Sequence, residues 1–259
     1  MADAWDPVQY DRFAAERRQP FDDLLSLLRP PAGARVVDLG CGAGNLTVEL
    51  HHHVGAARTT GIDSSPAMLA APPAAEGVEF EQADLTTWGE PGSLDVVFAN
   101  ASLQWTPDHD RQLARLTTLL RPGGQLAIQV PTNADHPSHT EIARVAEEMP
   151  FCHLLDPSVL ADPVSTNVLR PERYAELLHH LGFVEQHVRL QVYGHVLPSS
   201  SDVVEWTRGT TLTRFAAALE PDAYERFVDR YRERLVRVIG DQRPYFYAFK
   251  RILLWGRLP

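Results

Sequence analysis

The sequence predicts an α/β fold built on a doubly wound, mostly parallel sheet. Short apolar segments alternate with helical ones over the first half of the chain, a glycine-rich turn follows the first apolar segment, and an aspartate stands at the end of each of the first three. Such alternation marks strands joined by crossover helices. Ligands of such sheets bind beyond the carboxyl ends of the strands, where the strand order reverses.

Residues 8 to 28 place Phe13, Phe21, Leu24, Leu25 and Leu28 at helical spacing before the breaker Pro30-Pro31. Arg35 to Leu39 reads as a buried strand running into the glycine turn, and Asn45 to His52 as the helix after it. Thr59 to Ile62 is a second strand, ended by Asp63-Ser-Ser-Pro66, a cluster that predicts a helix start with a serine cap and proline in the first turn. Val78 to Gln82 is a third strand. Leu94 to Ala99 is a fourth, apolar enough for the centre of a parallel sheet. Leu113, Leu116, Leu119 and Leu120 form a helical stripe that Arg121-Pro-Gly-Gly124 should stop, and Leu126 to Val130 is a fifth strand.

After Pro131 the periodicity weakens. Residues 132 to 170, rich in His, Pro and Asp, suggest a cap or lid. Pro171 to Leu181 predicts a helix closed by Gly182, and Phe183 to Val192 a strand. Residues 202 to 239 are helical, with Pro221 near the start of a second helix, and Ile252 to Gly256 is the last strand candidate. The expected organisation is a single domain over 1–259, with a cofactor-binding core at 30–131 and covering segments at 1–29, 132–170 and 198–248.

Composition narrows the function. A net charge of −10 and a single lysine, Lys250, argue against nucleic acid or another polyanion held over a wide surface. No apolar run approaches the ~20 residues of a membrane span, and the acidic, polar start does not resemble a secretion signal. Two cysteines, Cys41 and Cys152, make no disulfide framework, so a reducing cytoplasm is the simplest home. The expected partner is a small molecule and the expected state a monomer.

The chemistry concentrates at three strand ends. In Asp38-Leu-Gly-Cys-Gly-Ala-Gly44, glycines at 40, 42 and 44 allow a tight turn and close approach of backbone to ligand. A dinucleotide fingerprint would need glycine where Asn45 stands, and a phosphate loop would need Gly-Lys-Ser/Thr. Asp38 before the turn would repel a pyrophosphate but suits a ligand carrying an ammonium and a sulfonium. Asp63 can accept both hydroxyls of a ribose, and Asp84 the amino group of an adenine while Leu85 packs on the ring. Taken singly, either acid is equally well a turn or cap residue; together with the glycine loop they define one ligand. Consecutive His51, His52 and His53 point in different directions on a helix and do not converge on a metal; a solvated helix end is the expected reading. Cys41 has no histidine beside it in sequence to activate it.

The strings Val37-Asp-Leu-Gly-Cys-Gly-Ala-Gly44, Gly61-Ile-Asp63, Ala83-Asp84 and Leu120-Arg-Pro-Gly-Gly124 resemble the class I methyltransferases. That resemblance implies a Rossmann-like, seven-stranded sheet with one antiparallel edge strand, helical cap insertions, and S-adenosyl-L-methionine as cofactor. It places the cofactor against Asp38, Gly40, Cys41, Gly42, Gly44, Asn45, Asp63, Ser64, Met68, Asp84, Leu85, Asn100 and Ala101. A finer resemblance covers nearly the whole chain. Trp5-Asp-Pro7 with Tyr10, Phe13 and Glu16-Arg17, then Gly61-Ile-Asp-Ser-Ser-Pro-Ala-Met68, Phe98-Ala-Asn-Ala-Ser-Leu-Gln-Trp105 with Pro107-Asp-His109, and Phe249-Lys-Arg-Ile252 are similar to the trans-aconitate 2-methyltransferases. It implies esterification of a carboxylate on a small polyacid such as trans-aconitate, with Tyr10, Arg17, Trp105, His195, Tyr247 and Arg251 on the substrate side.

Trp105 follows the fourth strand, where an indole can wall the transfer channel; burial in the core is the alternative. Arg17 can hold the acid or close over the cofactor, or be a surface charge. A carboxylate is already ionised at neutral pH, so no general base is expected; alignment and removal of water suffice. Hydroxyl or amine acceptors would want a base, for which His109 and His195 are available. The family pattern has a second arginine two residues after the one matching Arg17; here Gln19 stands there and Arg18 is out of register. Residues 210 to 214 match loosely, and the segment after Met68 is shortened. Another small-molecule acceptor, or a cofactor-binding protein without turnover, are the competing expectations.

Overall fold

A computed structural model describes residues 14–259, with side chains from residue 18 onward. Two compact units divide the chain. A sheet unit comprises Arg17–Pro131, Asn167–Gln191 and Arg251–Pro259, and the described part of a helical unit comprises Thr132–Thr166 and Val192–Lys250.

The strands are β1 (Arg35–Leu39), β2 (Arg58–Asp63), β3 (Val78–Gln82), β4 (Leu94–Asn100), β5 (Leu120–Pro131), β6 (Glu185–Leu197) and β7 (Tyr245–Arg257). They form one seven-stranded sheet in the order β3-β2-β1-β4-β5-β7-β6. The ladders β3-β2, β2-β1, β1-β4 and β4-β5 are parallel, and β5-β7 is antiparallel. The expected antiparallel edge strand is corrected: the strand antiparallel to β5 is β7, which lies inside the sheet between β5 and β6. Strand order reverses at β1, which has β2 on one side and β4 on the other, the place where sheets of this kind bind their ligands.

Alternation along the central strands sends side chains to two faces. Val37, Leu39, Val97, Ala99, Leu126 and Ile128 share a buried cluster with Leu113 and Leu116 of the helix His109–Leu119 and Tyr174 and Leu178 of the helix Pro171–His180. On the other face, Phe98 meets Phe21 of the helix Ala14–Leu25 edge-on at 5.7 Å. The helix Asn45–Val54 follows the glycine turn, and Gly55 ends it in the left-handed region.

Three local expectations are corrected. No helix follows Pro66; residues 66 to 70 form a turn. Pro72 and Pro73 supply no amide donors and disfavour helix in the residues before them, so the start signal has nothing to propagate. The leucine-striped helix does stop, at Leu119, but Arg121-Pro-Gly-Gly124 is not a separate turn before the fifth strand: it lies within β5 as a bulge. Leu94 pairs with Leu120 and Val96 with Gln125, so two steps on β4 face five on β5. His51 is not a solvated helix end: it is buried, its Nδ1 2.9 Å from Thr59 Oγ1.

The helical unit is built from short helices, chiefly Pro137–Ala146, Asp202–Arg208, Thr213–Ala218 and Pro221–Ile239. Pro221 thus opens the third helix of 202–239, not the second. Phe215 stacks on Phe227 at 4.7 Å, beside Phe151, Tyr231 and Leu235. Buried Glu141 accepts from Arg234 Nε at 2.9 Å and pairs with Arg144, while Glu148 pairs with Arg230 and Arg234. A buried carboxylate persists only when so matched.

Candidate active site

The glycine turn is held from both sides. The amides of Gly40 and Cys41 both donate to the Ile62 carbonyl, at 2.8 and 2.9 Å. Gly40, at φ +73, has no room for a side chain, since a Cβ there would sit 2.3 Å from Ser102 Cβ. Ser102 Oγ donates to the Leu39 carbonyl at 2.5 Å, tying the segment after β4 to the end of β1. Gly44, at φ +84, lies against the Phe80 ring in the same way. Gly42 differs: a Cβ there would meet nothing within 4 Å, so its surface is open to a ligand. Two glycines serve the protein's own close approaches and one faces space.

Asp38 is buried, and Thr47 Oγ1 donates to its Oδ2 at 2.7 Å. Burial pushes its carboxyl up from 3.8 to about 6, with nearby Asp63 acting in the same direction and the Thr47 hydrogen bond opposing. Asp63 Oδ2 accepts from the Gly42 amide and Oδ1 from the Ser65 amide, both at 2.9 Å. Each oxygen keeps a second lone pair for a diol. Ser64 is exposed; Met68 is buried, its amide donating to Ser65 Oγ at 3.2 Å.

Asp84 is exposed and accepts from the Thr86 amide and hydroxyl at 2.8 and 2.7 Å; these bonds hold it below the usual carboxylate range. Leu85 is half-buried, and Arg115 donates to the Leu85 and Trp88 carbonyls, pinning this loop to the helix His109–Leu119. Asn45 begins the helix whose cap, Gly44, has no side chain to accept from the first-turn amides. Asn100 ends β4 with its Oδ1 buried and without a hydrogen-bond partner among the described residues. Ala101 takes the left-handed conformation at φ 56, its amide donating to the Gln129 carbonyl at 2.9 Å. Burial, reinforced by Asp38 and Asp63, raises the Cys41 thiol far above its usual range. Cys41 is no thiolate nucleophile.

On the expected substrate side the residues divide between the units. Tyr10 lies outside the described residues, as does the side chain of Arg17, whose backbone falls in the helix Ala14–Leu25 one turn before Phe21. Trp105 is 37% exposed, which rules out the buried-packing alternative. Arg251 is buried, and its Nη1 donates to Gln129 Oε1 at 3.2 Å. Within the helical unit His195 stacks on Trp206 at 4.9 Å, and the Tyr247 hydroxyl is 2.8 Å from Ser138 Oγ.

His109 is withdrawn as a base candidate. It is buried, with Nε2 2.9 Å from the Leu103 carbonyl and Nδ1 2.5 Å from the Tyr174 hydroxyl. The carbonyl can only accept, so Nε2 carries the proton and Nδ1 accepts from the tyrosine. Arg18, out of register in sequence, sits in exposed pairs with Asp22 and Glu49. The residues missed by sequence are Thr47, Phe80, Ser102 and Gln129; only Gln129 carried a signal, a polar residue inside an apolar strand. An open cleft of about 450 Å³ near Arg35, Arg58 and Trp88 lies at the starts of β1 and β2, away from the glycine turn. Among the described residues no His, Cys, Asp and Glu cluster could hold a metal, and no helix is long and apolar enough to cross a membrane.

Residues 36–124 match the family model of a methyltransferase domain. The trans-aconitate 2-methyltransferase of Deinococcus radiodurans is 40% identical over 267 residues, covering 98% of each chain. That of Methylobacterium nodulans is 41% identical over 260 residues, covering 99% of each. The chain belongs to the trans-aconitate 2-methyltransferase family. Among solved structures it is similar in fold to the YcgJ protein of Bacillus subtilis, with a TM-score of 0.61 at 15% identity over 93% of this chain and 98% of that one. It is likewise similar to phosphoethanolamine N-methyltransferase 2 of Haemonchus contortus, with a TM-score of 0.58 at 20% identity over 93% of this chain and 52% of that one. This member of the family is thus an enzyme with a class I methyltransferase fold.

Proposed function

We propose that this protein transfers a methyl group from S-adenosyl-L-methionine to one carboxylate of trans-aconitate, giving a mono-ester. The observation that carries the cofactor is Asp38, a buried carboxylate with a raised pKa beside the one open glycine of the turn. Such a group wants a cation. The cofactor's ammonium supplies one, and Asp63, held by two backbone amides, directs its remaining lone pairs to the ribose. Asp84 and Leu85 would take the adenine, with Ser64 and Met68 beside the ribose loop. Gly40, Cys41, Gly44 and Asn45 shape the turn, and Asn100 and Ala101 close the edge nearest the transferred methyl.

When bound, S-adenosylmethionine supplies a sulfonium methyl group open to attack by an oxygen nucleophile. The chain's residues have no proton to remove from a carboxylate; they hold the acid in line and keep water off the attacking oxygen. Arg251 supplies a fixed positive charge and Trp105 an indole wall beside the end of β4. The roles of Arg17, Tyr10, His195 and Tyr247 rest on the family resemblance. The fully engaged, neutral His109 favours an already ionised acceptor over a hydroxyl that would need its proton removed.

A net charge of −10 argues against a nucleic-acid substrate, and free Cys41 and Cys152 suit a reducing cytoplasm, where the protein acts as a monomer. Equilibrium sedimentation checks the last point; a dimer mass would correct it. The substrate is tested by incubating the protein with labelled cofactor and a panel of organic acids. Label in a base-labile ester of trans-aconitate is the expected result, and label only in base-stable products would overturn the reading.

A further inference from the structure

Gln129 has been given no role so far, yet it is among the most unusual side chains of the sheet unit. It sits in the middle of an apolar run on β5 with no solvent exposure. Its Oε1 accepts from Arg251 Nη1 at 3.2 Å, whereas its Nε2 is buried without a hydrogen-bond partner among the described residues. The amide orientation is fixed chemically, because a guanidinium only donates and so must face the oxygen. The orphan is therefore a donor. A buried donor without an acceptor is destabilising, and a ligand that accepts from it would offset that cost.

Register places this donor at the transfer edge. Gln129 pairs with Asn100 across β4-β5, level with the end of the strand that leads into Ala101 and Trp105. Pro131 pairs with Arg251 across β5-β7, so Gln129, two residues earlier, projects from the same face as Arg251. Four residues away on that face, the Gln125 oxygen is doubly engaged: its Oε1 accepts from Trp255 Nε1 at 3.0 Å and from the Arg29 amide at 2.9 Å. The two glutamines stand in equivalent positions of one ladder. One finishes a structural network, and the other stops with a donor to spare beside a buried arginine.

We propose that Gln129 is a substrate-positioning residue: its carbonyl fixes the direction of the Arg251 guanidinium, and its amide N–H donates to a carboxylate of the acid. A carboxylate accepts at two oxygens, and a charged guanidinium with a neutral amide beside it forms a clamp that distinguishes an ionised acid from its ester or amide. The clamp holds a carboxylate that is not attacked, leaving the nucleophilic one less encumbered. This inference rests on the acid-methylating function proposed above.

The test uses Gln129→Met, which keeps the volume and removes both polar atoms, and Gln129→Glu, which keeps a partner for Arg251 but sets a negative charge against the acid. Affinity for trans-aconitate is measured by calorimetry on protein saturated with S-adenosylhomocysteine, together with KM, kcat, the Kd for S-adenosylhomocysteine and the melting temperature. Expected is a rise of about ten- to a hundred-fold in KM and Kd for the acid in Gln129→Met, and a larger rise in Gln129→Glu. The cofactor-product Kd should stay within about twofold and kcat should change far less than KM, a split that a packing role would not produce. Acid affinity unchanged in both variants overturns the proposal. So does an equal loss for acid and S-adenosylhomocysteine, or failure of both variants to fold. If the wild-type protein ignores trans-aconitate but takes another acid of the panel, the substrate reading fails and the clamp is read on that acid. Binding of no acid overturns both.

Discussion

At the residue scale, Asp38 sets stability against function. Its pKa of about 6 against an ordinary 3.8 means the folded protein holds this proton more tightly than the unfolded chain. The associated stability is present below about pH 4 and lost as pH rises through 6, so the ionised carboxylate costs the ligand-free protein about 3 kcal/mol at pH 8. Asp38→Asn, which can still accept from Thr47, should raise the melting temperature of the ligand-free protein at pH 8 and leave it nearly unchanged at pH 4. Thermal melts at the two pH values check this; equal shifts at both would contradict it. In the proposed cofactor site the same ionisation has the opposite benefit. Below pH 6 the proton competes with the ammonium, so the wild-type Kd for S-adenosylhomocysteine should weaken by up to about tenfold per pH unit, and Asp38→Asn should flatten that dependence.

Asp63 is the simpler case. Asp63→Asn keeps the shape of the side chain but replaces one acceptor by a donor facing a backbone amide. A loss of about 2 kcal/mol, roughly thirtyfold in cofactor affinity, is expected by calorimetry. Unchanged affinity would remove Asp63 from the ribose. The placement of both acids was legible in the sequence, because each stands at a strand's carboxyl end. Gln129 was less legible. A glutamine in an apolar strand becomes informative only when the neighbouring strand shows which of its atoms is matched.

At the element scale, the junction of the segments after β1 and β4 depends on a contact with no side chain on one side. Gly40→Ala would place its Cβ 2.3 Å from Ser102 Cβ at a φ of +73, and the combined clash and backbone strain should cost about 3 kcal/mol. Gly40→Ala with Ser102→Gly should recover part of that loss in denaturant unfolding; strict additivity of the two changes would show that the contact is not shared. The elements themselves were largely readable, since the parallel strands and the leucine-striped helix His109–Leu119 follow from periodicity. What periodicity could not settle was competition between signals. The capped start at Asp63–Pro66 lost to Pro72 and Pro73, and Arg121-Pro-Gly-Gly124 became a bulge because β7 and the last residues pair across it: the Gly123 amide donates to the Pro259 carbonyl at 2.7 Å. Neither outcome is local to the sequence that signalled otherwise.

At the scale of the whole molecule, the residues proposed to bind the cofactor and Arg251 belong to one unit while His195 and Tyr247 belong to the other. The helical unit, whose sequence gave weak signals, is held by paired buried charges and aromatic stacking that no single-residue period reports. A net charge of −10 also opposes the approach of a trianionic acid. Raising ionic strength from low to physiological should therefore increase kcat/KM for trans-aconitate before local screening of Arg251 reverses the trend; a monotonic fall would show that local attraction governs capture at all salt concentrations. The most direct test of the account is the position of the transferred label. With labelled S-adenosylmethionine and trans-aconitate, it predicts one methyl group per acid, released by mild base; a base-stable product, or turnover only with a hydroxyl or amine acceptor, would contradict it.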